Sequence, residues 1–193
     1  MQKYAVKFLA QMLKTYSPTG QEEKLAEFLQ REMKRLGCRV KVDDVGNVIG
    51  EIGKRRPVTL LCGHMDTVPG QIPVRIVGNK LFGRGAVDAK GSLAAMILGA
   101  TEFARKKKKG KVIVAAVVQE EGASKGIKNF LKSKSSSNVD FAIFGEPSRS
   151  DQIIVGYRGR AQLKIKCKTM GGHAGAPLSL IHISEPTRQA EIS

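Results

Sequence analysis

An α/β fold, with a mostly parallel sheet flanked by helices, is what this 193-residue sequence predicts. Apolar residues recur with helical spacing over 5–16, 25–36 and 93–104. The short apolar run at 58–62 reads as a strand buried on both faces, and 112–118 and 139–144 read as further buried strands. The two kinds of segment follow one another along the chain, the order that builds a layered fold around parallel strands.

In chain order, Ala5, Phe8, Leu9, Met12, Leu13 and Tyr16 mark a first amphipathic helix, broken by Ser17-Pro18-Thr19-Gly20. Thr19 is the expected cap of a second helix, with Glu22 completing a capping box. Leu25, Phe28, Leu29, Met33 and Leu36 give that helix its apolar stripe, and Gly37 ends it. Strands are expected at Cys38–Asp43 and Asn47–Ile52 around the Val45-Gly46-Asn47 turn. The buried strand Val58–Cys62 follows, then a helix carrying Leu93, Met96, Ile97, Ala100 and Ala104. The buried strand Val112–Val118, a short helix at Ile127–Leu131, a polar loop at Ser133–Asn138 and a third buried strand at Val139–Phe144 complete the first layer. From Gln152 the pattern changes to two alternating segments, 152–157 and 161–168, which suggests a separate strand element. Residues 178–193, beginning "LSLIHISEPTR", resemble a translated sequencing-library adapter and are expected to be foreign to the protein. His182 therefore has no expected role, and the native chain is expected to continue past Pro177.

An apolar fraction of 41% supports a packed core. No stretch approaches the roughly 18 consecutive apolar residues of a membrane helix, and the first residues hold no signal-peptide core. Cys38, Cys62 and Cys167 are too scattered for a disulfide framework and read as free thiols of a reducing compartment, so a cytoplasmic protein is expected. The net charge of +16 admits an acidic partner, a solvated lysine-rich surface or nucleic acid. Nucleic acid is not expected, because interleaved aromatics and a recognition motif are both missing. The run Lys106–Lys109 fits a helix C-terminus facing solvent.

Chemistry gathers after the strands, where ligands bind in open α/β sheets. His64 and Asp66 follow the first buried strand in Gly63-His64-Met65-Asp66-Thr67. Two residues apart, they point the same way from an extended segment, and His is a common metal ligand that a carboxylate orients. Asp88 lies in the glycine-rich segment "GRGAVDAKG" before the third helix. Glu120 and Glu121 follow the second buried strand, where adjacent carboxylates repel unless a cation sits between them. Glu146 leaves the third in "FGEPS". Singly, each has a plainer explanation: a hydrogen-bonded structural histidine, an N-cap aspartate, an exposed acidic loop, a cap. As an ordered set, all of them after strands, they are specific.

"GHMDTVPG", "GRGAVDAKG", "QEEGASKG" and "FGEPS" together resemble the dinuclear-zinc amidohydrolases and peptidases, the family of acetylornithine deacetylase and succinyl-diaminopimelate desuccinylase. The resemblance covers 1–177. "DTVPGQIPVR" and "GRGAVDAKGSLAAMI" are most similar to the branch that releases lysine or ornithine from a small acidic carrier protein. It implies a zinc-peptidase-like catalytic domain whose N-terminal part is 1–156, and the start of an α+β dimerisation domain at 157–177. It implies two Zn²⁺ or Co²⁺ per subunit, with His64 and Glu146 on one ion, Glu121 on the other and Asp88 between them. Glu120 would be the general base and Asp66 the group that orients His64. His173, in Gly171-Gly172-His173-Ala174-Gly175, would reach the active site of the other subunit of a homodimer and stabilise the oxyanion. One further histidine ligand has no counterpart in 1–177. The resemblance implies an amide substrate, either an amino-acid amide or the acidic carrier conjugate. A deacylase or dipeptidase of the same family, or a non-catalytic binding protein of this fold, are the alternatives. Arg75 and Arg158 are candidate carboxylate-binding residues.

Overall fold

The computed structural model describes residues 2–148 and 151–156. Arg158, 161–168, Cys167, His173, His182 and 178–193, of which expectations were stated above, lie outside them. The chain divides into two units, Met1–Ile153 and Ile154–Ser193, and the architecture below belongs to the first.

The elements are α1 (Gln2–Lys14), α2 (Glu23–Arg35), β1 (Arg39–Val42), β2 (Val48–Gly53), β3 (Val58–His64), β4 (Arg75–Val77), β5 (Lys80–Phe82), α3 (Lys90–Arg105), β6 (Lys111–Val117), α4 (Lys125–Leu131), a 3₁₀ turn at Ser136–Asn138 and β7 (Phe141–Phe144). Five strands form one sheet in the order β1-β2-β6-β3-β7. Its β6–β3–β7 half is parallel, and β1 and β2 extend it antiparallel. The sheet is thus mixed and flanked by helices, and its parallel half carries the chemistry.

Period-two alternation divides β6 between two cores. Val112, Val114 and Ala116 face a cluster holding Phe8, Met12, Leu25, Leu29, Leu93 and Ile97 from α1, α2 and α3. Ile113, Ala115 and Val117 face a smaller one with Ile49, Leu60, Cys62 and Phe130, the last from α4. Asn47 is fully buried between the elements. Its Nδ2 donates to Asp43 Oδ2 and the Gly126 carbonyl, and its Oδ1 accepts from the Val118 N–H. That network fixes the end of β6 from which the glutamate pair departs.

Three expectations are corrected. Strand β7 forms, but it is exposed along its length, with Phe141 at 63% and Ile143 at 56%. It is the sheet edge, with β3 its neighbour on one side and, among the described residues, nothing on the other. An apolar run cannot by itself tell a covered strand from an edge. The Thr19–Glu22 capping box is absent: no side chain caps α2, because both residues are engaged elsewhere. No strand is assigned at 152–156. The β4–β5 hairpin was not foreseen, although its turn, Gly78-Asn79 between the paired Val77 and Lys80, is a two-residue hairpin signal.

Cys38 and Cys62 are free thiols, as expected, and both are buried. Burial pushes Cys38 from 9.0 to about 11. Burial, with the Glu146 charge behind it, pushes Cys62 to about 12. Both should resist iodoacetamide at pH 8 in the folded protein and react on unfolding. In the folded state they hold their protons longer than in the unfolded chain. Their contribution to stability is therefore complete below pH 9 and declines as pH rises toward 11–12. Rapid labelling of either thiol under native conditions would contradict this burial.

Candidate metal centre

His64 is the last residue of β3, bonded in register with Val117 of β6. Its side chain is fully buried. Nδ1 faces the Asp66 carbonyl at 2.9 Å, with Asp66 Oδ1 further away at 3.4 Å. The orienting contact is thus mainly Asp66's backbone. With Nδ1 as the donor there, Nε2 is turned outward. It stands 3.1 Å from Asp88 Oδ1 and 3.9 Å from Glu146 Oε2. Single ligand atoms of His64, Asp88 and Glu121 all lie within 4.8 Å of one another.

The Asp66 carboxylate, wholly buried, does more than the sequence implied. Oδ1 accepts the Glu120 N–H at 2.9 Å, and Oδ2 accepts the Glu121 N–H at 3.1 Å and the Thr19 hydroxyl at 2.8 Å. One side chain thereby fixes the loop that carries both glutamates relative to His64. Glu22, also buried, accepts the N–H groups of Gly20 and Gln119. Gln119 is in a left-handed conformation (φ 57°) where the chain turns out of β6. Thr19 and Glu22 are the residues the sequence argument placed in the wrong job: a capping pattern and a loop clamp look alike in one dimension.

Asp88 precedes α3 without capping it; the cap position is Ala89. The Asp88–Ala89 peptide bond is cis. The loop is held from behind by Lys90, whose buried Nζ donates to the carbonyls of Met12 and Thr15 at the end of α1. Burial lowers Lys90 to about 8. Gly85, at φ 84°, is needed here: a Cβ would press on Thr67 and on the Lys90 stem.

The charges are arranged against one another. Burial alone would lower His64, but the bond to Asp66, the Glu146 charge and the bond to Asp88 outweigh it and raise it to about 9. Burial and then repulsion, from Asp88 for Glu121 and from Glu120 for Glu146, lift both carboxyls above their usual range. For Asp66 burial is overcome by its bonds to His64, Glu120, Thr19 and Glu121, and it falls below the usual range. A buried imidazole that retains a proton to such high pH, ringed by carboxylates that repel each other, marks a place where positive charge is strongly favoured. One imidazole and several carboxylates are donors suited to a divalent zinc or cobalt ion, so the residues fit the expected metal. His64, Asp66, Asp88, Glu120, Glu121 and Glu146 are brought to one end of the sheet.

The sequence model of peptidase family M20/M25/M40 matches residues 60–191. The chain belongs to that family. Among curated relatives, a Sulfurisphaera tokodaii protein named LysW-lysine/LysW-ornithine hydrolase is 36% identical, over 87% of this chain and 46% of its own length. A Deinococcus radiodurans LysW-lysine hydrolase is 35% identical, over 88% and 47%. A Pyrococcus furiosus protein, which carries the first of these names provisionally, is 45% identical over 82% and 46%. The chain thus spans about half the length of these relatives. The fold is shared with an M20 family metallo-carboxypeptidase from Sulfolobus solfataricus, at TM-score 0.65 and 20% identity over 73% of this chain and 37% of that one. It is shared equally with human carnosine dipeptidase 1, at TM-score 0.65 and 22% identity over 75% and 38%.

Proposed function

We propose that the protein is a metal-dependent hydrolase that cleaves an amide bond to release an amino acid, lysine or ornithine, from an acidic carrier protein. The observation that carries this is the convergence of His64, Asp88 and Glu121 ligand atoms within 4.8 Å, with Glu146 beside them. The names of relatives at 35–45% identity support the substrate, and a net charge of +16 suits an acidic protein. The solved family neighbours share less than 25% identity and speak to the fold. We assign His64 and Glu146 to one ion, Glu121 to a second and Asp88 to both, with zinc or cobalt as the metal. We keep 1–156 as the first part of the catalytic domain, 157–177 as the start of a dimerisation domain and 178–193 as a foreign tail. A homodimer in the cytoplasm completes the proposal. No helix among the described residues is long and apolar enough to cross a membrane.

Two divalent ions held here would supply Lewis acidity, bringing a water's pKa toward neutrality and polarising the amide carbonyl. The chain's own groups do the rest. Asp66 sets the Glu120 and Glu121 backbone, so that the Glu120 carboxylate is presented beside Glu121 and Glu146. Glu120 takes the proton of the attacking water on a carboxylate oxygen and later delivers it to the leaving nitrogen. Asp66, through its carbonyl on Nδ1, keeps the Nε2 lone pair of His64 directed at the site. His173 is proposed to donate to the carbonyl oxygen where negative charge develops.

The test uses full-length protein stripped with chelator and reloaded with zinc. It should bind about two ions per chain, melt at higher temperature with metal than without, and release lysine or ornithine from the carrier conjugate faster than from the acetylated amino acid. His64→Ala should lose the metal-dependent rise in melting temperature. Equal hydrolysis with and without metal would refute the proposal.

A further inference from the structure

A cleft of about 670 Å³ opens beside the metal centre, with Asp88 and Glu121 on its lining. They are its only acids. The same lining carries three cations: Arg75 and Lys80 from the β4–β5 hairpin, and Arg84. None of the three is ion-paired among the described residues. Two are held in place without being neutralised. The Arg75 guanidinium lies over the Phe82 ring, 5.1 Å from its centroid, on the residue paired with it across the hairpin. Arg84 Nε donates to the Gly70 carbonyl at 2.8 Å, which leaves its terminal nitrogens available. One cleft thus holds both carboxylates, where ions would sit, and cations without acidic partners among the described residues.

We infer that these cations bind a carboxylate on the acyl side of the scissile amide, and so select an acidic acyl donor. The assignment rests on the proposed function. The lysine or ornithine half carries an ammonium beside its own carboxylate and has no net negative charge, whereas the acidic half carries carboxylates alone, so three cations without acidic partners favour the acidic half. Arg75 and Lys80 are the specificity-determining pair, because they stand on an exposed hairpin whose strands are not part of the main sheet. Arg84 also braces the Gly70 loop and is a poorer probe.

Zinc-loaded full-length protein would be compared with the Arg75→Gln/Lys80→Gln double variant on two substrates. One is lysine acylated on its α-nitrogen by an acidic tripeptide; the other is Nα-acetyl-lysine. The ratio of kcat/KM for the acidic substrate to that for the acetyl substrate should fall by about tenfold or more in the variant, mostly through KM. Inhibition by the free acidic tripeptide should weaken in parallel, and Arg75→Lys/Lys80→Arg, which keeps the charge, should preserve the ratio. An unchanged ratio with unchanged tripeptide inhibition would overturn the inference while leaving the hydrolase proposal intact. Hydrolysis of neither substrate by the wild-type protein would instead overturn the proposed function.

Discussion

Glu120→Gln should lower kcat of the metal-loaded full-length protein by about 10²–10⁴-fold, the range for losing a positioned general base. Its metal content and melting temperature should stay near those of the parent. The expectation follows from how Glu120 is held. Its backbone is pinned by Asp66, while its side chain is exposed and packs against nothing that folding needs. Glutamine keeps the shape and removes the proton acceptor. Its charge also acts on Glu121 and Glu146, so both carboxyls should titrate lower in the variant. Metal analysis decides the case: if zinc is lost together with activity, Glu120 is a ligand and not the base.

Asp66→Ala should be the most damaging single change to stability, at about 3–5 kcal/mol, the cost of leaving the partners of a buried charge unpaired. The N–H groups of Glu120 and Glu121 and the Thr19 hydroxyl would lose an acceptor whose own side chain is fully buried. Zinc affinity should fall about 10–100-fold, since such supporting groups orient ligands. Urea titration and a zinc isotherm on the same variant would measure both. The linkage has a definite sign. Asp66 is held below its usual 3.8 in the folded state, so its contribution is complete above that value and is lost as pH falls below it. The parent should lose stability on acidification through this range faster than Asp66→Asn. If both change alike with pH, Asp66 is not the anchor described.

The candidate ligands were legible because strands announce their own ends. Val112–Val118 is apolar throughout and Val58–Cys62 is so but for Thr59, so a histidine or glutamate pair just past them stands out. Thr19 and Glu22 were visible but misassigned, because the partners that claim them, Asp66 and Gln119, are far away in sequence. The exposure of Phe141 and Ile143 was illegible for a related reason. A strand's place within a sheet depends on what lies beside it, and composition records only what the strand is made of. The short hairpin at Arg75–Phe82 has too few residues for periodicity to show. His173 lies outside the described residues, and its role stays with the proposal.

The ammonium of Lys90 carries a lesson for anyone redesigning this scaffold. Its two acceptors, the carbonyls of Met12 and Thr15, lie in and just past the end of the opening helix, yet the side chain grows from the first residue of α3, two positions after Asp88. Trimming the first fifteen residues as dispensable would strand a cation in an oily interior. The damage would surface some seventy positions downstream, in the loop that carries Asp88. The chain's beginning is thus a hidden support of the end where the candidate ligands gather, and engineering that swaps or shortens α1 must carry Lys90 along with it.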